Sequence, residues 1–534
     1  MAVFALLLRL HAPIIARLRR AEAAQQYYID SLARLAGHWK DAAVDGMRFL
    51  DTQHPWSSDL DVFGKGSLFQ KINQCRTLPA QRKLAAWLTD VPSAAEISER
   101  QRQSESLREH LDLRERLAAI DQDVDWASAE QTLEVWLKEP AGKFPKWTLW
   151  AARAVGAASI VVVYLALSGI ISLTYILLML LLQGPFVVIN RHRIKTVMDE
   201  VDDVDKALRQ LAEVIQQFET YPLAEKSLQQ LQNRLTVDGV IASERIQQLS
   251  RLVQWLNNAL RNQFFIPLAW ALGLFIHLPH RIERWRTCHG KRVTEWLDAV
   301  TTLEVVTSIS GFNYEQQTYA LAEIDENVKR FEAEQLGHPL LIASECVHND
   351  VSLIERQPLM LISGSNMSGK STLLRSVGTN LVLAFCGARV NAKSLRAYPF
   401  QIGTAMRVSD SLQEGRSLFF TVLQRLKAVV DLAGTGRPVL FLLDEILSGT
   451  NSHDRRRGAE AVIKTLVNKN AIGMVTTHDL ALTRIVESMD DKAVNKHFED
   501  QVVDGEMTFD YQLRDGVVER SNAIQLMQMM GLDV

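Results

Sequence analysis

The chain has 534 residues, of which 47% are hydrophobic and 23% charged, and a formal net charge of −3. These proportions describe a folded protein of more than one domain and exclude a disordered one. The near balance of charge excludes a uniformly basic nucleic-acid binder, because contact with many phosphates needs an excess of Lys and Arg.

The N-terminus, Met1 to Arg9, carries a short apolar run with no preceding positive charge and no clear cleavage site, so it is not read as a signal peptide. Residues 13–40 place Arg, Ala and Leu at helical spacing and predict an amphipathic helix within an N-terminal segment 1–44. Residues 45–142 and 193–320 are expected to form an all-α core and lever region. Between them, over 143–192, comes the least ordinary stretch. The 37 residues from Ala154 to Asn190 contain no Asp, Glu, Lys, Arg or His. A membrane helix needs about 20 apolar residues, so the stretch is long for one crossing and slightly short for two. Ser168-Gly169 offers a turn, Trp147 and Trp150 suit an interface, and Arg153 can snorkel, which lengthens the first helix. A two-helix transmembrane hairpin is therefore predicted. Lys143, Lys146 and Arg153 precede the span and Arg191, Arg193 and Lys195 follow it. Basic flanks stay in the cytoplasm, and an even number of crossings keeps both there.

Val201 to Leu260 repeats apolar residues every three or four positions and predicts long helices, in the manner of an antiparallel arm. Phe264 to Leu278 is too short to span and is read as a core helix. Arg281, Arg284, Arg286, Lys291 and Arg292 cluster with Trp285, and Arg455-Arg456-Arg457 form a run; each reads as a solvated helix face or a local basic patch. Cys75, Cys288, Cys346 and Cys386 lie far apart, have no metal-ligand spacing, and predict reduced thiols in the cytosol.

The chemistry sits in residues 321–534. Gly364-Ser365-Asn366-Met367-Ser368-Gly369-Lys370-Ser371 has the phosphate-loop spacing, an apolar strand Leu359–Ile362 before it and a helix Thr372–Leu383 after it. Glycines let backbone N–H groups turn toward phosphate oxygens, and the helix start adds positive potential. Lys370 supplies a full charge, and the Ser371 hydroxyl suits Mg²⁺. Val439 to Leu443, a continuous apolar run, predicts a strand buried on both faces and ends in Asp444-Glu445. Asp444 is expected to hold Mg²⁺ through water, and Glu445 to activate the attacking water. A third strand, Ile472 to Thr477, ends in His478, read as a sensor of the terminal phosphate. The expected cofactors are ATP and Mg²⁺.

These motifs resemble the MutS-type ATPases, the mismatch-repair branch of the ABC ATPases. The resemblance lies in Gly364-Ser365-Asn366-Met367, in Asp444-Glu445-Ile446 followed by Ser448-Gly449-Thr450-Asn451-Ser452, and in Thr476-Thr477-His478. Arg407, Ser409-Asp410, Gly415-Arg416-Ser417 and Phe419 are similar to the family's signature segment. By resemblance, Ser417 reaches the nucleotide of a second subunit, which implies a homodimer; Leu418 and Val422 depart from the family's usual Thr and Glu. Gly66 to Phe69, Leu84 to Leu88, Gly337 to Leu341 and Asn349-Asp350 resemble stretches further upstream, and Ser521 to Ile524 the end of the ATPase domain. The resemblance implies an α/β P-loop NTPase after the all-α region, with DNA as a partner and Gly364–Thr372 as the nucleotide site.

No Phe-x-Glu, the family's mismatch wedge, occurs in the sequence. A core-like segment starting near residue 45 is expected to leave no room for the wedge domain, and no C-terminal helix-turn-helix extension is evident. Three functions follow as expectations. The first is a DNA-directed ATPase of the repair type. The second is a membrane-tethered switch acting on a protein or lipid partner. A transporter half is disfavoured, because Leu447-Ser448-Gly449-Thr450 is not the transporter signature. The expected location is membrane-anchored, with the ATPase domain in the cytoplasm.

Overall fold

A computed structural model describes residues 2–120, 133, 135–137, 146–172, 174–237, 239–365, 367–406, 418–447, 452–503 and 506–518. Lys143, Asn366, Arg407 to Ser417, Ser448 to Asn451 and Ser521 to Ile524 lie outside these residues. The chain divides into two compact units. The first comprises Met1–Ala24, Cys75–Gln81 and Asp112–Glu304; the second comprises Gln25–Gln74, Arg82–Leu111 and Val305–Val534.

The first unit is helical apart from one two-strand ribbon, β1 (Thr236–Val237) with β2 (Val240–Ile241). Helix Lys146–Leu167 stops at Ser168-Gly169, and Ser172 accepts the Thr174 N–H to start helix Thr174–Glu219. The second helix runs 46 residues, passing Pro185 and continuing from the apolar half into the arm. Its second half buries Val197, Val201, Val204, Leu208, Leu211, Ile215 and Phe218, spaced three or four apart. This stripe packs on helix Ala242–Arg261, which turns Ile246, Leu249, Val253 and Leu256 inward. Glu219 accepts the Ser243 N–H at 3.1 Å and so ties the end of one arm helix to the start of the other.

Two expectations need correction here. Phe264 to Leu278 is not one core helix. It is a short helix Ile266–Ala271, a break at Leu272-Gly273, and the start of a second helix, Leu274–Glu315. Pro267 sits in the first turn, where its missing N–H costs nothing, and Phe264 is 96% exposed. Nor is the basic cluster uniformly solvated. Arg286 is buried, paired with Glu283 at 2.9 Å and donating to the Trp136 carbonyl.

The second unit holds two sheets. The smaller has the order β3-β7-β4-β5, from β3 (Glu323–Ile324), β4 (Arg330–Leu336), β5 (Asn349–Ile354) and β7 (Ser394–Ala397). The larger has the order β12-β11-β6-β10-β9-β8, from β6 (Leu359–Ser363), β8 (Gln401–Ala405), β9 (Val439–Leu443), β10 (Ile472–Thr477), β11 (Ala493–Val503) and β12 (Glu506–Asp515). All its pairings are parallel except β11 with β12. Every residue of β6, β9 and β10 is buried, which explains their unbroken apolar runs. Helices Lys370–Phe385, Leu418–Leu432 and Ser452–Asn468 follow β6, precede β9 and follow β9. Upstream residues belong to this unit too: buried Asp59 accepts from the Thr404 hydroxyl at 2.7 Å and the Met406 N–H at 3.1 Å.

Glu304, in the first unit, is fully buried and accepts from the Thr77 hydroxyl at 2.9 Å. Burial outweighs that bond and pushes its carboxyl up to about 8, whereas an unfolded Glu titrates near 4.3. Between those values the folded chain keeps a proton that the unfolded chain releases, so stability falls as pH rises through this window and levels off above about 8. Glu304→Gln keeps the shape without the titration. Urea unfolding from pH 5 to 9 should show a flatter profile for the variant and greater stability than the parent at pH 9.

Candidate functional site

The parallel register brings three strand ends to one edge. Ser363 pairs with Thr477, and Leu443 pairs with Val475. The loop after β6, the acidic pair after β9 and the histidine after β10 therefore emerge side by side, the placement where open α/β sheets bind ligands.

The loop folds as it does because of its glycines. Gly364 has φ +152°, and a Cβ there would meet Ser368 Oγ at 2.8 Å and the Phe498 carbonyl at 3.1 Å. Gly369 caps the following helix at φ +98°, and a Cβ there would press on the Tyr511 ring at 3.1 Å. The helix starts at Lys370, two residues before the expected Thr372, and ends at Phe385. Lys370 is 3% exposed and folds back to donate to the Gly364 carbonyl at 2.8 Å and the Ser365 carbonyl at 2.5 Å. Burial holds its pKa below the ordinary lysine value, while Glu445, Asp444 and Asp500 pull it back up. Ser368 donates to the Ser365 carbonyl at 2.8 Å. The Ser365 hydroxyl is buried and has no partner, which leaves a polar atom in the loop available to an oxygen-rich ligand.

The acidic pair is held by Thr476. Its hydroxyl donates to Asp444 Oδ1 at 2.5 Å and accepts the Glu445 N–H at 3.0 Å. Asp444 N–H donates to the Ala405 carbonyl at 2.9 Å, which fixes the turn from β8 as well. Glu445 and Leu447 both adopt left-handed backbone, with φ of 47° and 56°. Each such non-glycine residue costs on the order of 1–3 kcal/mol and is found where surrounding structure over-determines it. Glu445 Oε1 lies 3.4 Å from His478 Nδ1, both side chains partly exposed.

A cavity of about 410 Å³ opens beside the loop, lined by His338, Met367, Lys370, Ser371, Thr372 and Tyr511 among others. Burial first, then Arg375 and Lys71, hold His338 down to about 4, so it presents a neutral ring. Asp444 and Glu445 do not line this cavity; a ligand that reaches them must extend past Lys370.

Of the expected site residues, Gly364, Ser365, Met367, Ser368, Gly369, Lys370, Ser371, Thr372, Asp444, Glu445 and His478 gather at these strand ends. Asn366 and Ser417 lie outside the described residues. Sequence reasoning missed Thr476 as a positioning residue, and also Asp500, His338 and Tyr511. Tyr511 reaches the loop from the antiparallel edge strand β12, with its own φ at 54°. No local signal marked it, because nothing in its neighbourhood has a ligand-binding pattern.

MutS domain V matches residues 360–533 of the chain. The DNA mismatch repair protein MutS of Natronomonas pharaonis is 30% identical over 246 residues, which cover 45% of this chain and 28% of that protein. Endonuclease MutS2 of Thermus thermophilus is 31% identical over 212 residues, 38% of this chain and 27% of that protein. The probable DNA mismatch repair protein Msh6 of Drosophila melanogaster is 29% identical over 213 residues, 39% and 17% respectively. The chain thus spans under a third of the length of each of these relatives.

Thr476→Val should release Asp444 and strand the Glu445 N–H. Each loss costs on the order of 1–3 kcal/mol. Titration calorimetry should show Mg²⁺-dependent nucleotide affinity reduced about tenfold, the equivalent of about 1.4 kcal/mol. Thr476→Ser should restore it.

Proposed function

Because the chain belongs to the MutS family through residues 360–533, we propose that it binds ATP with Mg²⁺ and hydrolyses it. One observation carries this reading: Lys370, Asp444, Glu445 and His478 meet where parallel strands end, close enough that both carboxylates act on the lysine.

Lys370 would exchange two neutral carbonyl acceptors for phosphate oxygens, replacing ordinary hydrogen bonds by charge-assisted ones. Backbone N–H groups of Gly364 to Thr372 would surround the phosphates. Ser371 and Asp444 would hold the Mg²⁺, whose charge offsets that of the phosphates. Glu445 would orient the attacking water and take its proton, with His478 beside it to set the carboxylate. By family likeness the site is completed by Ser417 of a second copy, so ATP would join two chains and hydrolysis release them. An ATP-retention assay should show no binding by Lys370→Ala. Glu445→Gln should keep ATP and the dimer while turnover falls about 100-fold or more, the usual weight of a general base. A Glu445→Gln chain that stays monomeric and turns over freely would overturn the reading.

We further propose that the hairpin anchors the chain in a membrane, with the ATPase domain in the cytoplasm. Helix Trp147–Leu167 is long and apolar enough to cross a bilayer. Ile160, Tyr164 and Leu167, with Leu177, Leu181 and Ile189 on the second helix, are each more than half exposed. Covering apolar surface is worth about 25 cal/mol per Å², and lipid provides that cover. Trp147 and Trp150 are also exposed, and the Arg153 guanidinium lies 4.9 Å from the Trp150 ring, a combination suited to an interface. Alkaline carbonate extraction should leave the protein in the membrane pellet; recovery in the supernatant would overturn the anchor.

A second reading, ATPase action on DNA, is supported by the names of the relatives, two mismatch repair proteins and an endonuclease. It predicts hydrolysis stimulated by branched, mismatched or plain duplex DNA, with salt-sensitive binding.

A further inference from the structure

A groove of about 580 Å³ runs between helix Ala242–Arg261 and helix Leu274–Glu315 in the first unit. Arg251 and Trp255, four apart, line one wall; Leu278, Arg281, Arg284 and Trp285 line the other. Among the described residues, no Asp or Glu lines it. Arg251, Arg281 and Arg284 are exposed, and among the described residues none has an ion-pair partner within 4.0 Å. Arg286, on the opposite side of the same turn, is the one neutralised by Glu283. Burial first, then Arg153 and Arg281, lower His277; burial first, then Arg245 and Arg292, lower His289.

We propose that this groove binds the phosphate headgroup of an anionic phospholipid. The inference rests on the membrane reading of the hairpin for the source of the ligand. The placement argues for lipid. His277 hydrogen-bonds the Ala152 carbonyl, and His280 Nε2 lies 3.4 Å from Thr148 Oγ1. The two helices therefore run antiparallel here, one descending from Ala152 to Thr148 as the other ascends from His277 to His280. Past His280 the second helix leaves the hairpin on the side where Trp147 begins it. Arg284 is four residues on, about 6 Å at 1.5 Å per residue. The polar layer of a bilayer leaflet is about 5–7 Å thick beyond the hydrocarbon. Arg281 and Arg284 thus fall at headgroup depth, Arg251 lines the facing wall of the groove, and the exposed Trp255 beside it can meet the glycerol and first methylenes. Arginine pairs with phosphate in two-point geometry, and basic pockets beside spanning helices on the cytoplasmic side suit such headgroups.

The test uses the full chain in detergent micelles, with dioctanoyl phosphatidylglycerol as probe and tryptophan fluorescence as readout. The parent should bind it saturably. Arg251→Gln/Arg281→Gln/Arg284→Gln should bind about a hundredfold more weakly, from about fivefold per charge near an anionic surface. The corresponding triple Lys variant keeps the charge but loses the two-point geometry, so it should bind more weakly than the parent yet at least about fivefold more tightly than the triple Gln variant, which separates charge loss from misfolding. Dioctanoyl phosphatidylcholine and inorganic phosphate should not compete at equal concentration; competition by phosphate would assign the groove to a free anion and overturn the lipid source. Equal binding of phosphatidylglycerol by parent and triple Gln variant, or binding by neither, would overturn the proposal. So would loss of duplex-DNA binding in the triple Gln variant without loss of lipid binding. Carbonate extraction is scored separately: a parent chain that leaves the membrane sinks the anchor, whereas a chain that stays but binds lipid without its arginines sinks only the groove.

Discussion

The candidate site depends on strand register more than on any one side chain. β10 lies between β6 and β9, and its pairings put Thr477 level with Ser363 and Val475 level with Leu443. A shift of one residue in either pairing would turn alternate side chains to the other face and carry Thr476 away from Asp444. The register is pinned from inside the sheet. A Cβ at Gly473 would meet the Phe441 carbonyl at 2.1 Å, so β9 and β10 close on each other only because this position has no side chain. The Gly473 N–H also reaches the Pro358 carbonyl at 2.8 Å, at the residue just before β6. One glycine thus sets the level of three strands.

Much of this was legible in the sequence. Gly364, Gly369, Lys370 and Ser371 announce a phosphate loop, and three apolar runs announce buried strands, because a strand covered on both faces has nowhere to place a polar residue. The acidic pair and His478 were legible for the same reason, as the first polar residues after such runs. Strand order was not legible, and with it the role of Thr476. Its hydroxyl matters only because β10 is the neighbour of β9, and threonine is in any case common in strands. Tyr511 and Asp500 reach the site from an edge ribbon more than a hundred residues downstream of the loop, and His338 from upstream of it. Long-range packing leaves no local pattern. Phe264 to Leu278 departs differently: Ala269, Phe275, Ile276 and Leu278 are buried as a core run should be, but Gly273 at φ +62° breaks the stretch into two helices and Phe264 faces outward. Hydrophobicity states what must avoid water, not whether protein or another phase provides the shelter.

The arm shows a related economy of construction. Helix Thr174–Glu219 begins with exposed apolar residues and ends with a buried stripe against helix Ala242–Arg261, with no interruption between. A continuous helix is stiff because each turn shares hydrogen bonds with the next. Displacement at the Glu219 end is therefore transmitted along the same rod toward the hairpin, and Glu219, bonded to Ser243, joins both arm helices at that end. Pro185 lies at the far end, in the apolar half, where a missing hydrogen bond can bend the rod without loosening the packed stripe.

The resting state of the loop bears on how tightly a ligand can be held. Lys370 is buried and already satisfied by two carbonyls of its own loop, so a phosphate gains only the difference between those bonds and the charged ones that replace them. That exchange is favoured by the direction of its pKa: burial disfavours the ammonium, and the carboxylates of Glu445, Asp444 and Asp500 keep it charged. A cation that engages Asp444 would weaken that support, so the ammonium would be left to seek its counter-charge from the ligand. On the proposed reading, lysine, acidic pair and divalent ion would be coupled, with tight binding expected only when nucleotide and metal arrive together. The left-handed backbone at Glu445 and Leu447 has its place in the same coupling, since a turn held in a costly conformation is one that a ligand can shift by a small difference in contacts.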